Sequence, residues 1–445
     1  MPGFHLPPTT RIAVATGHVV LSSMSSLTYQ IVSTCQIAVE GSRFAQLPGD
    51  RKMKPALVAA AFACAAPIAE AQMTAEPFPI SFPEDAVADL VERLEGTRFP
   101  EPLEGVGWGY GIAPEFLRDL VANWADMDFD AAAERMNAVP GFVAEIDGQS
   151  IHFLHLPSSD PEAIPLMLLH GWPSTFLQMR EIAPMLAAPA GDGPAFHVVA
   201  PSLIGYGYAS RPTAPGMSPS AMAPYMHTLM TEVLGYDRYG LRSSDLGAGV
   251  AARMAADYPQ AIVGSHTGGT NPWLQGPIPD DLSEAEQAFV ANAQQWMQTE
   301  MAYAFLHASK PETLAVALTD SPAGLAAWIG EKMHRWVDHD GDLWAEIDKD
   351  AVLDTLTVYW MTGTIGSSMR LYAEAARDTS GWAVPQVPVG YLMPRNDFFP
   401  TPRSWMERMG PIGHWTETKD GGHFMELEEP ALVAEDLRRF FGGLQ

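Results

Sequence analysis

Between Tyr239 and Ala256 a strand-like run breaks into small residues and restarts as a helix. The stretch Tyr239-Gly240-Leu241-Arg242-Ser243-Ser244-Asp245-Leu246-Gly247-Ala248-Gly249 leaves one polar side chain, Asp245, at the tip of the turn, and Val250 to Ala256 continues as helix. Serine and glycine on both sides mark a turn too tight for bulk. A strand that feeds straight into a helix sends the chain back across a sheet, so this one feature points to an α/β layout.

The flanking patterns agree. Leu166 to Leu169 and Phe196 to Ala200 are short, wholly apolar runs, each followed by a glycine-containing loop and separated by helical patterns, as buried parallel strands are. Ahead of them, Val87, Leu90, Val91 and Leu94 recur at helical spacing, and a second helix-like stretch runs from Ala113 to about Trp124. Phe142 to Ile146, Asp147-Gly148 and Ile151 to His155 read as a hairpin. After Gly264 the pattern turns for roughly a hundred residues to helices rich in Ala, Met and Trp, which would cover a site as a lid. The sheet pattern resumes at Val387 to Leu392, and an amphipathic helix occupies Ala431 to Phe441. The expected organisation is an N-terminal helical and hairpin meander over 77–150, a core sheet from 151–275 and 386–445, and a helical lid over 276–385.

Residues 1–71 are expected to be an upstream tail and a signal peptide. Met53-Lys54 opens a short apolar run through Phe62-Ala63, and Ala69-Glu70-Ala71 supplies an A-x-A site for cleavage before Gln72. The run is too short to span a membrane. With Met53 as the start the protein is exported to the periplasm or beyond, and without that signal it is cytoplasmic. Both cysteines, Cys35 and Cys64, fall in the removed part, so a mature chain has neither thiol nor disulfide. Removing five basic and three acidic side chains takes the net charge from −27 to −29. Such acidity repels nucleic acid and anionic membranes and suits a small neutral substrate. Homo-oligomerisation is left open by the sequence.

Three chemical elements follow one another in the order nucleophile, acid, histidine. Asp245 stands at the elbow tip, where a carboxylate attacks carbon electrophiles such as epoxides and alkyl halides and leaves an ester. After the strand ending at Leu392, Met393-Pro394-Arg395-Asn396-Asp397 supplies a carboxylate to orient a histidine, and Gly421-Gly422-His423-Phe424 supplies that histidine on a pliant loop. Glu426, three residues past His423, is the rival acid. His170-Gly171-Trp172-Pro173 follows an apolar strand and offers the Trp172 amide, beside that of Leu246, as an oxyanion hole. A lone Gly-Gly-His or a lone Asp before Gly is commonly just a turn. Their joint order at strand ends is what gives the set meaning.

These residues resemble the epoxide hydrolases of the microsomal type. The resemblance runs over about residues 77–443, through Phe78-Pro79-Ile80-Ser81-Phe82-Pro83, Glu145 to His155, His170 to Pro173, Leu234 to Tyr239, Asp320 to Ile329 and Tyr359 to Ser368. It implies an α/β-hydrolase fold with an N-terminal meander and a helical lid, no metal or organic cofactor, an apolar epoxide and water as substrates, and a part in detoxification or aromatic hydrocarbon catabolism. It also implies two lid tyrosines that hold the epoxide oxygen and donate a proton, and these map to Tyr303 and Tyr372. A phenol with a pKa of about 10 is a competent acid for a basic alkoxide. At the elbow the family usually carries Gly-Gly-Asp-Trp-Gly where this chain has Ser243-Ser244-Asp245-Leu246-Gly247, which puts substrate range in doubt. Leu246 also argues against a haloalkane dehalogenase, which usually needs a tryptophan there to bind halide. No G-x-S-x-G occurs to support a serine esterase. A non-catalytic ligand-binding relative is the remaining alternative, and the elbow substitutions are its support. Trp328, Trp336 and Trp360 in the lid predict an apolar pocket.

Overall fold

The computed structural model describes residues 73–189, 191, 193–269, 278–381, 383–398 and 401–445. The expected signal peptide and its cleavage before Gln72 lie outside the described residues.

Strand β1 (Glu76–Pro77) leads to three helices, α1 (Glu84–Glu95), α2 (Pro114–Ala125) and α3 (Phe129–Met136). The first two follow the apolar spacing seen in the sequence and bury Leu90, Leu94, Leu120, Val121 and Trp124. The third, which the spacing does not announce, is started by Asp128, whose side chain accepts from the amides of Asp130 and Ala131. Strands β2 (Gly141–Ile146) and β3 (Gln149–Leu156) then form the expected hairpin. Its two turn residues, Asp147 at φ 47° and Gly148 at φ 77°, both take the left-handed conformation that a two-residue hairpin of this twist requires.

The remaining strands are β4 (Ile164–Leu169), β5 (Phe196–Pro201), β6 (Tyr239–Ser244), β7 (Ile262–Gly268), β8 (Val389–Pro394) and β9 (His414–Thr418), and the sheet order is β1-β2-β3-β5-β4-β6-β7-β8-β9. From β5 to β9 every pairing is parallel, and the antiparallel hairpin extends the sheet at β3. Helices α4 (Ile182–Ala187), α5 (Pro219–Thr228) and α6 (Asp245–Asp257) belong to the crossovers. Strand β7 runs on to Gly268, four residues past the point where the sequence pattern changes, and β9 is a half-exposed edge strand with no apolar run to reveal it.

Between β7 and β8 the chain forms α7 (Glu284–Thr299), α8 (Ala302–Ser309), α9 (Pro311–Asp320), α10 (Pro322–Trp336), α11 (Leu343–Glu346), α12 (Lys349–Thr362) and α13 (Ile365–Arg377). Three helices close the chain around β9: the short α14 (Arg403–Glu407) before it, then the short α15 (Met425–Glu428) and the longer α16 (Pro430–Gly442). Among the described residues no helix is long and apolar enough to cross a membrane.

The N-terminal helices brace this helical layer. Asp354 on α12, fully buried, receives Arg135 of α3 at 2.8 Å and Arg180, ahead of α4, at 3.0 Å. Burial raises the pKa of that carboxyl, and the two guanidiniums oppose the rise. The indole of Trp124 donates to Thr357 Oγ1 at 2.9 Å, and Trp108 stacks on His334 of α10. Removing one partner from such a buried pair leaves a charge uncompensated, so these contacts hold the cap to one position over the sheet.

Candidate active site

The turn between β6 and α6 has the geometry its small residues imply. Asp245 sits at φ 48°, a left-handed conformation uncommon outside glycine, and begins the helix directly from the strand. A Cβ on Gly171 would collide with the Asp245 carboxylate, and one on Gly247 would strike the carbonyls of Leu169 and His170. The two glycines therefore let the elbow and the loop after β4 approach each other.

That loop is held from both ends. His170, buried and neutral because burial lowers its pKa to about 4, accepts from the Leu203 amide at 3.2 Å and lies 3.0 Å from the Gly171 carbonyl. Its next residues, joined by a cis Trp172–Pro173 bond, aim the Trp172 amide at Asp245 Oδ1, 2.8 Å away. Leu246, the other expected amide donor, follows Asp245 at the helix start with its side chain half-buried.

On the opposite side of the carboxylate lies His423. Its Nε2 is 3.7 Å from Asp245 Oδ2, an ion-pair separation too long for a hydrogen bond, and its Nδ1 is 3.0 Å from Asp397 Oδ1. Burial works against a charged imidazole here, but Asp397 and Asp245 outweigh it and push the pKa up to about 10. At neutral pH the ring is an imidazolium between two carboxylates. Phe398 stacks on it and Trp336 meets it edge-on.

Glu426, the rival acid, points elsewhere. It forms a buried ion pair with Arg242 at 2.8 Å and accepts from Gln178 at 2.6 Å, beneath the elbow. Arg242 in turn donates to His266 Nδ1, so the proton of neutral His266 sits on Nε2 and is directed at Asp436. His266, Asp436 and His414 are close enough to hold a cation. The proton fixed on His266 Nε2 occupies the position that a metal would need.

The cap brings both expected tyrosines to the same place. Tyr303 on α8 lies flat against the Trp172 ring at 5.2 Å, and Tyr372 on α13 stands edge-on to it at 6.1 Å. Burial raises both phenol pKa values well above the ordinary range, and the charge of Asp245 adds to the effect. Both therefore stay protonated. The two phenol hydroxyls interact with each other.

Several contributors were not legible in the sequence. Glu428, at the end of α15, accepts from the amides of Gly422, Phe424 and Asp338 at 2.7, 2.7 and 2.8 Å. It clamps the loop on both sides of His423 to the chain just after α10, where the Trp336 carbonyl also accepts from the His423 amide. Burial raises its pKa to about 7 despite those three donors. Trp336 and Trp328 face the site region, whereas Trp360 lies under Arg93 of α1. No periodicity distinguishes these roles.

A parallel sheet with a carboxylate at its strand-to-helix elbow, a histidine and second acid behind it, and a helical cap above defines an α/β hydrolase. The comparisons with known proteins agree and narrow the class. Residues 75–179 match the epoxide hydrolase N terminus, and residues 164–326 match the alpha/beta hydrolase fold. The juvenile hormone epoxide hydrolase of Bombyx mori is 33% identical over 398 residues, 82% of this chain and 86% of that protein. Epoxide hydrolase 1 of Sus scrofa is 31% identical over 418 residues, 85% of this chain and 91% of its own. Among solved structures, the silkworm enzyme superposes with a TM-score of 0.73 at 32% identity, covering 84% of this chain and 94% of that one. The Aspergillus niger epoxide hydrolase gives 0.74 at 28%, covering 84% and 97%. The chain belongs to the epoxide hydrolase family, enzymes that hydrolyse an ether bond.

Proposed function

We propose that this chain converts an apolar epoxide to a vicinal diol through an ester on Asp245. The observation that carries the reading is the carboxylate at the elbow tip, with Trp172 N 2.8 Å from one oxygen and His423 Nε2 3.7 Å from the other.

In the first step an Asp245 oxygen attacks an epoxide carbon and the C–O bond breaks toward the ring oxygen, which Tyr303 and Tyr372 hold. A phenol gives that oxygen its proton, and the resulting tyrosinate recovers one from the His423 imidazolium. Forming the ester removes the negative charge of Asp245, which is one of the two charges that raise the pKa of His423. The ring is then neutral and fit to act as a base.

In the second step His423, oriented by Asp397, takes a proton from water as its oxygen attacks the ester carbonyl. The Trp172 and Leu246 amides stabilise the oxyanion. Collapse expels the glycol alkoxide, which takes the proton of the newly formed Asp245 carboxylic acid, so the diol leaves with Asp245 ionised and His423 protonated and the cycle closes on the resting pair without an outside proton. The aromatic rings of Trp172, Trp336 and Phe398 supply the apolar wall for the substrate body.

A single turnover in heavy-oxygen water tests the route. Label must appear in Asp245 before it appears in the diol, and Asp245→Asn must abolish both. Diol that carries the label from the first turnover would exclude the ester.

A further inference from the structure

Three buried polar donors packed about the Trp172 ring have no acceptor among the described residues: Trp172 Nε1, His307 Nδ1 and Trp336 Nε1. Buried donors in native proteins nearly always have partners, so a group of them packed together beside the two lid tyrosines implies something that arrives with acceptors. The epoxide oxygen has two lone pairs and is answered by the two tyrosines. The other donors remain.

His307, on α8 and fully buried, is the most defined of them. Burial and the nearby charge of Lys332 lower its pKa to about 3, so the ring is neutral. A neutral imidazole has one donor nitrogen and one acceptor nitrogen. The indole of Trp328 donates to Nε2 at 3.1 Å, which assigns the proton to Nδ1. The ring lies 4.8 Å from Trp172, 5.0 Å from Tyr372 and 5.6 Å from Tyr303, edge-on to each. Trp328 thus fixes the donor nitrogen of a ring packed against both lid tyrosines.

We infer that the pocket selects epoxides that carry a second hydrogen-bond acceptor, a carbonyl or ether oxygen within a few bonds of the ring, and that His307 Nδ1–H binds it. The inference rests on the epoxide reading above and refines its substrate to glycidyl ethers and esters or epoxy ketones with an apolar body. A pocket whose buried donor is left unanswered discriminates against the analogue that lacks the acceptor, whereas an added methylene in an apolar pocket changes rates far less. The Trp172 face could instead absorb the N–H as a weak aromatic contact. That alternative predicts no substrate preference.

The test compares phenyl glycidyl ether with its isostere in which a methylene replaces the ether oxygen, using the full chain. We expect kcat/KM to favour the ether by about tenfold or more. His307→Phe, checked for folding by its melting temperature, should bring the ratio of the two values close to one. His307→Gln, which keeps an acceptor for Trp328 and a donor for the substrate, should restore much of it. Equal rates in the wild type, or a ratio that His307→Phe leaves unchanged, would overturn the inference while the epoxide reading stands. Turnover of neither compound, with no label in Asp245, would overturn the reading and the inference together.

Discussion

The two halves of the site are built on opposite principles. On the sheet side, Asp245, Asp397 and His423 are matched to partners: a carboxylate oxygen to the Trp172 amide, an imidazolium between two carboxylates, a loop clamped by Glu428. On the cap side, His307 and the indole of Trp336 present donors with no acceptors among the described residues. Charge must be organised before the reaction, because reorganising it during the reaction would raise the barrier. Hydrogen-bond donors aimed at the substrate have to wait for it. On the proposed route, the difference would separate the groups that make and break the ester from those that hold the leaving oxygen and the substrate body.

The comparison is tested most severely at His423. His423→Gln should still form the Asp245 ester but fail to hydrolyse it, so steady-state diol release falls by about a thousandfold. Mass spectrometry of the intact protein should then find one ester per chain. On the cap side, Tyr372→Phe should slow the first step instead, by about tenfold to a hundredfold, because Tyr303 remains to hold the oxygen. Here no ester should accumulate, and rapid-mix measurement of its formation separates the two halves.

Glu428→Gln should act at a distance. Replacing one carboxylate oxygen by an amide nitrogen sets a donor against backbone N–H groups, which loosens the His423 loop. We expect ester hydrolysis to slow by about tenfold while ester formation changes little, and the melting temperature to fall as a buried hydrogen bond worth about 1–3 kcal/mol is lost. The smallest effect belongs to Ser243. It is buried in β6 with Oγ 3.4 Å from Thr267 Oγ1 on the neighbouring strand, so Ser243→Gly should alter kcat/KM by less than about threefold.

Much of the sheet and its elbow was legible because the information is local. Apolar runs of strand length, the Asp147-Gly148 hairpin turn and the small residues around Asp245 each satisfy a constraint imposed by near neighbours in the chain. The chain order of elbow carboxylate, second carboxylate and histidine was legible for the same reason, since each stands at the end of a local pattern. What stayed hidden depends on distant pairs. Strand β9 has no run of its own and exists because β8 offers it an edge. Glu426 and Glu428 are two residues apart and look alike in sequence, yet one pairs with Arg242 on β6 and the other caps amides around His423. Trp360 and Trp336 also looked equivalent, and only packing sends one toward Arg93 and the other to His423.

The sequence by itself determined the α/β layout, the position of the elbow carboxylate and the family to which the chain belongs, because turns, periodicity and motifs are written in adjacent residues. Tertiary structure decided the electrostatics. His423 is held as an imidazolium by carboxylates 26 and 178 positions away in the chain, at 3.0 and 3.7 Å in space. His307 is a donor because Trp328, on another helix, occupies its second nitrogen. Protonation and tautomer depend on burial and on what lies within a few ångströms, and only the folded chain defines those.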